Sequence, residues 1–172
     1  MEFDIPDQRK NFGSEIGLPG QIGKPTLVSL QANLPGVKEV YLLLNLGSGS
    51  AAFDGNQTGK VTLEFEDQPP LDTPLIAGKN VREWCVSEPV VLDRTTDAAT
   101  REVYRGETDP GASELGARSG CQVAIVDMLT ITVPATHQNA VLTRLQLQDT
   151  SRETVGSPDP QLLLMGVSAR TR

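Results

Sequence analysis

Apolar positions in this chain recur with a period of two, in short runs separated by proline and glycine. The clearest alternation is Lys60-Val61-Thr62-Leu63-Glu64-Phe65-Glu66, where Val61, Leu63 and Phe65 share one side and the polar residues the other. Successive side chains of an extended chain point to opposite faces, so this is a strand with one face on a core and one in water. A second kind of run is apolar throughout. Val40-Tyr41-Leu42-Leu43-Leu44 lies between Leu34-Pro35-Gly36 and Gly47-Ser48-Gly49. It is too short for a helix, and it predicts a central strand over residues 37–45 with both faces covered.

The same reading extends in both directions. Residues 26–31 fit a first strand, which Leu34-Pro35-Gly36 turns back. Four glycines between residues 46 and 59 predict a hairpin connection, with Asp54-Gly55-Asn56 at a tight turn. Pro69-Pro70 and Pro74 are expected to break the chain before a strand over residues 81–86. A long polar middle, residues 93–120, holds a short strand around Glu102-Val103-Tyr104-Arg105. Residues 123–133 are long enough for a bend or bulge near Asp127, and Pro134 ends them. Val141, Thr143, Leu145 and Leu147 alternate with Leu142, Arg144, Gln146 and Gln148 in a half-buried strand. Residues 162–167 read as a last strand with two covered faces. Seven or eight strands with no amphipathic helix and no internal repeat predict an all-β, two-sheet antiparallel β-sandwich. Residues 1–24 are an irregular lead-in that Phe12, Ile16 and Leu18 pin onto the body, and residues 25–172 are the sandwich.

Composition narrows this picture in a few places. At 172 residues the chain suits one domain, and an aromatic share of 4% leaves the core to Leu, Val, Ile and Ala. A net charge of −7 argues against nucleic-acid and anionic-membrane partners, which reward a basic surface. No apolar run nears the roughly 20 residues that cross a bilayer, so no membrane insertion is expected. Met1-Glu2-Phe3-Asp4 lacks the features of a secretory signal. The chain is then cytoplasmic, or an upstream signal or domain precedes Met1. Cys85 and Cys121 lack neighbouring Cys or His at metal-ligand spacing. One disulfide and two free thiols are both open, and free thiols are favoured because nothing marks secretion.

Tyr41-Leu42-Leu43-Leu44-Asn45, the segment Gly59-Lys60-Val61-Thr62-Leu63-Glu64-Phe65, the phrase Gly78-Lys79-Asn80-Val81-Arg82-Glu83-Trp84 and Asp127-Met128-Leu129-Thr130-Ile131 carry a resemblance. Over residues 26–167 the chain resembles the galactose-binding-like jelly-roll modules that are found appended to bacterial enzymes and signalling proteins. The resemblance implies a two-sheet antiparallel sandwich of jelly-roll type that binds carbohydrate or another partner and is not itself catalytic. It also implies a structural calcium ion in many members. Such sugar binders present aromatic rings on loops, of which this chain has few.

The candidate chemistry agrees with a non-enzyme. His137 is the only histidine, it follows Pro134-Ala135-Thr136 in a loop, and no Gly-x-Ser-x-Gly elbow accompanies it. Glu64 and Glu66 fall on the solvent face of their strand. The glycine-rich loop lacks the Lys-Ser/Thr ending of a phosphate loop. Arg82, Trp84, Tyr104 and Arg105 are the ligand-binding candidates, because arginine offers a planar fork of donors and Trp or Tyr a stacking face. Trp84 also reads as a core residue. In that case alternation turns Arg82 inward, where it needs a buried partner such as Asp127, and turns Glu83 outward. Asp54 and Asn56 supply oxygens of the kind a calcium ion takes. The expected function is a non-catalytic binding or interaction module for a glycan or a partner protein. The alternative is a structural or assembly domain without a small-molecule ligand.

Overall fold

The structure is a computed structural model that describes residues 26–87, 90–107, 121–150 and 160–171. Eight strands run in the order β1 (Thr26–Pro35), β2 (Glu39–Gly47), β3 (Gln57–Phe65), β4 (Gln68–Ile76), β5 (Thr100–Glu107), β6 (Val123–Thr132), β7 (Val141–Asp149) and β8 (Gln161–Arg170). They form two four-stranded sheets, β1-β7-β3-β4 and β5-β6-β2-β8, and every strand pairing is antiparallel. This is an all-β sandwich, compatible with a jelly roll. Among the described residues no helix is long and apolar enough to cross a membrane. The expected packing of residues 1–24 lies outside the described residues.

Alternation decides which side chains fill the space between the sheets. Val61, Leu63 and Phe65 of β3 all point inward and are buried, as their spacing requires. They meet Val40, Leu42, Leu44 and Leu46 of β2, Leu129 and Ile131 of β6, and Leu162 and Leu164 of β8. Each such aliphatic side chain contributes about 2 kcal/mol by leaving water, so the aliphatic inventory suffices without many rings. β2 is the central strand its sequence predicts, flanked by β6 and β8. Gly36 takes the positive φ of 69° that the turn after Pro35 demands.

Several expectations give way. Pro69, Pro70 and Pro74 do not end the ladder, because they lie within β4 on the free edge of its sheet. An edge strand needs amide donors on one side only. The adjacent prolines also fall where β4 carries an extra residue, between Leu71 and Gln68. The glycine-rich connection is not a hairpin. It passes from β2 in one sheet to β3 in the other, through a single 3-10 turn at Ala51–Phe53. β8 is an edge strand with only its inward residues deeply covered, and Met165 bulges out between Leu164 and Gly166. In β7 the phase slips at Thr143, which lets Leu142 join Leu145 and Leu147 in the core. The irregularity expected near Asp127 is present, but its extra residue is Val103 of β5, opposite Asp127 and Val126. Cys85 and Cys121 are joined in a disulfide with Cα atoms 5.7 Å apart, which corrects the preference for free thiols.

Candidate functional site

Strands β2 and β6 pair from Glu39 opposite Thr132 to Leu43 opposite Met128, and then they part. Residues 82–86 enter the gap. Leu46 N–H donates to the Arg82 carbonyl at 2.7 Å, and Trp84 N–H donates back to Leu46 at 2.9 Å. On the other side Ile125 N–H donates to Trp84 at 2.8 Å, and Val86 N–H donates to Val123 at 3.0 Å. The segment is therefore a spliced-in insert held by isolated bridges, not the regular strand its pattern suggests. Asn45 sits at the fork. Its Oδ1 accepts from Asp127 N–H at 3.0 Å and its amide donates to Asp127 Oδ2 at 3.4 Å, replacing ladder bonds that the parting strands lose.

The insert brings charge into the interior. Asp127 is fully buried and Arg82 nearly so, at 9% exposure. Arg82 Nε donates to Asp127 Oδ2 at 2.7 Å and Nη2 to Oδ1 at 2.8 Å, the two-pronged geometry that suits a guanidinium to a carboxylate. Its remaining donors reach the Asp93 carbonyl at 2.6 Å and Glu102 Oε2 at 2.8 Å. These bonds, led by Asp127, push the Arg82 pKa further up. Glu102 also receives Arg105, whose Nε and Nη2 donate to its two oxygens at 2.8 Å each. Arg105 first, and Arg82 after it, hold the Glu102 carboxyl down at about 2, against the opposing effect of burial.

Glu83 is buried as well, not turned to water, because an insert without a regular ladder does not keep strand alternation. Its carboxylate accepts from Gly49 N–H and, at 3.1 Å, from Cys85 N–H. A Cβ on residue 49 would stand 3.0 Å from that carboxylate, so glycine permits the approach.

The four expected binding residues thus share one neighbourhood with different roles. Arg82 and Arg105 converge on Glu102, with Arg82 enclosed and Arg105 exposed. Trp84 is half-buried in the insert. Tyr104 stands opposite Val126 on the outward side of β5 and is 56% exposed. Its ring lies along the strand over Gly106, where a Cβ would come within 2.2 Å of the Tyr104 hydroxyl. Arg101 is exposed on the same strand, two register positions away opposite Met128.

Asp54 and Asn56 lie elsewhere, in the β2–β3 connection. Asp54 Oδ2 accepts from Arg94 Nη2 at 2.7 Å, and Asn56 is exposed with its backbone bonded to Phe53 and Ala77. One ion-paired carboxylate and one amide do not fit a calcium ion, which takes six or more oxygens. Among the described residues no three His, Cys, Asp or Glu stand together as metal ligands. His137 Nε2 bonds the Pro69 carbonyl at 3.0 Å, and its ring meets Phe65 edge-on at 5.2 Å, which ties the β6–β7 turn to the β3–β4 end.

No protein-family model matches the chain, and neither does any curated protein or solved structure. The charged side chains lock the insert in place; the outward face of β5 carries the Tyr104 ring and Arg101, while Arg105 turns to the other side toward Glu102.

Proposed function

We propose that this chain is a non-catalytic recognition module, and that carbohydrate is the ligand class its β5 face fits best. The observation that carries the reading is the Tyr104 ring. It lies low across the sheet over Gly106, more than half open to solvent, and so offers a π-face on which a pyranose ring can stack. Arg105, next along the strand, points to the opposite side, where Glu102 holds it with its side chain 51% exposed. Arg101, on the same side as Tyr104, supplies a fork of donors for hydroxyl groups. A partner protein is the second reading, favoured by Val103, which is exposed at 44% next to Tyr104 on a free sheet edge.

The test is a glycan array followed by calorimetry with the sugar retained. Tyr104→Ala should abolish binding with the melting temperature unchanged. Gly106→Leu, which displaces the ring without removing it, should weaken binding at least tenfold. Binding that survives both substitutions, or an array with no signal, sinks the carbohydrate reading. Capture of a defined partner protein lost on Val103→Lys would install the second one.

A further inference from the structure

Among the described strands, four end the two sheets, β1 and β4 in one and β5 and β8 in the other. An end strand offers a row of unpaired N–H and C=O groups to any other extended chain, and proteins blunt such rows with charge, proline or bulges. Three of the four carry charged side chains. β4 carries Asp72 with Pro69, Pro70 and Pro74. β5 carries Arg101, Glu102, Arg105 and Glu107, with the extra residue Val103. β8 is bulged at Met165 and ends at Arg170.

β1 is different. Its ten residues, Thr-Leu-Val-Ser-Leu-Gln-Ala-Asn-Leu-Pro, include no charged side chain, and it is alone among the eight described strands in this. Proline occurs only at its last position, and the pairing with β7 shifts register between Gln31 and Leu34. Leu27 is 54% exposed and Leu34 39%.

We propose that β1 is a docking edge whose occupant is β1 of a second copy of this chain. Charge selects that occupant. Two copies each carrying −7 repel over most of their surfaces, so a self-contact belongs where charge is missing, and β1 is such a place. Symmetry agrees. A two-fold axis normal to the sheet sets β1 antiparallel to itself, uses one patch twice and keeps core-facing residues on the core side in both copies. Centred on Gln31, the pairing sets Val28 against Leu34 of the second copy and Leu30 against Ala32. Val28, Leu30 and Ala32 all line the core side. Leu34 thereby gains the cover it lacks, and two four-stranded sheets become one of eight strands. One strand against one strand is a small interface, so the dimer forms in a concentration-dependent way. The inference is independent of the carbohydrate reading.

Light scattering coupled to gel filtration over a concentration series tests it on the full chain. The expected result is a monomer–dimer equilibrium. Ser29→Lys with Gln31→Lys, both at exposed positions, should shift it to monomer with circular dichroism and melting temperature unchanged. Both native cysteines are in the disulfide, so Gln31→Cys adds the one free thiol and should give a covalent dimer on mild oxidation. Gln68→Cys on the β4 edge should give none. A monomer at every concentration overturns the proposal. So does a dimer that the double lysine variant leaves intact, or one cross-linked through position 68 and not 31.

Discussion

Replacing Asp127 by alanine isolates the buried charge cluster from the rest of the fold. Asp127 is fully buried and its carboxylate accepts from Arg82 Nε, Arg82 Nη2 and Asn45. Removing it leaves the Arg82 guanidinium inside, still bonded to Glu102 and to the Asp93 carbonyl but without its two-pronged partner. Breaking a buried pair from one side costs about 3–5 kcal/mol, because the surviving charge cannot return to water. That is a large part of the roughly 5–15 kcal/mol by which a domain is stable. Glu102→Ala should cost about 1 kcal/mol or less, since the Glu102 side chain is 32% exposed and solvent screens its pairs. Urea unfolding followed by the emission of Trp84, the one tryptophan, reads the insert directly. Replacing both partners, Arg82→Met with Asp127→Leu, should cost less than Asp127→Ala alone, because no unpaired charge remains. A loss under about 1 kcal/mol for Asp127→Ala, or equal losses for Asp127→Ala and Glu102→Ala, refutes the view that this pair anchors the insert.

Two other outcomes follow from the same region. The Glu102 carboxyl is depressed from its ordinary 4.5 to about 2, so it favours the folded state above 4.5 and loses that advantage as pH falls through about 2. The stability difference between the native chain and Glu102→Gln should therefore be constant at neutral pH and shrink only below about pH 4.5, which urea midpoints across pH will report. Cys85→Ser opens a link between residues 36 apart and should cost about 4 kcal/mol, mostly through freedom restored to the unfolded chain. Thermal unfolding with and without reductant checks this, since reduction must bring the native chain to the variant's stability.

The fold was legible where alternation is strict and one face is buried, as at Val61, Leu63 and Phe65 of β3. It was not legible where a strand lies at an edge. The prolines of β4 read as breaks because proline removes a donor, and only the sheet order reveals that the donor was not needed. The pairing of Arg82 with Asp127 could be anticipated, since an arginine turned inward requires a carboxylate and Asp127 interrupts an apolar run. Glu83 is not legible because alternation governs ladders, and the insert is not one; the role of Glu102 depends on its register opposite Asp127, which the sequence of β5 alone does not give. The only earlier signal for Glu83 was Gly49, a residue small enough to let a carboxylate come close. The disulfide is not legible in the sequence, because cysteines 36 apart carry no register with each other until the insert is placed.

The gap between β2 and β6 has a consequence for how the chain assembles. Leu42 meets Leu129 across about half of the sequence, and the segment that fills their fork comes from between them. The two strands cannot zip to completion from one end, because their last rungs belong to a third piece of chain. Pairings so distant in sequence form slowly. Until residues 82–86 are seated, Asp127 waits without its counterion, which makes seating the insert the step that commits the sandwich to its final form.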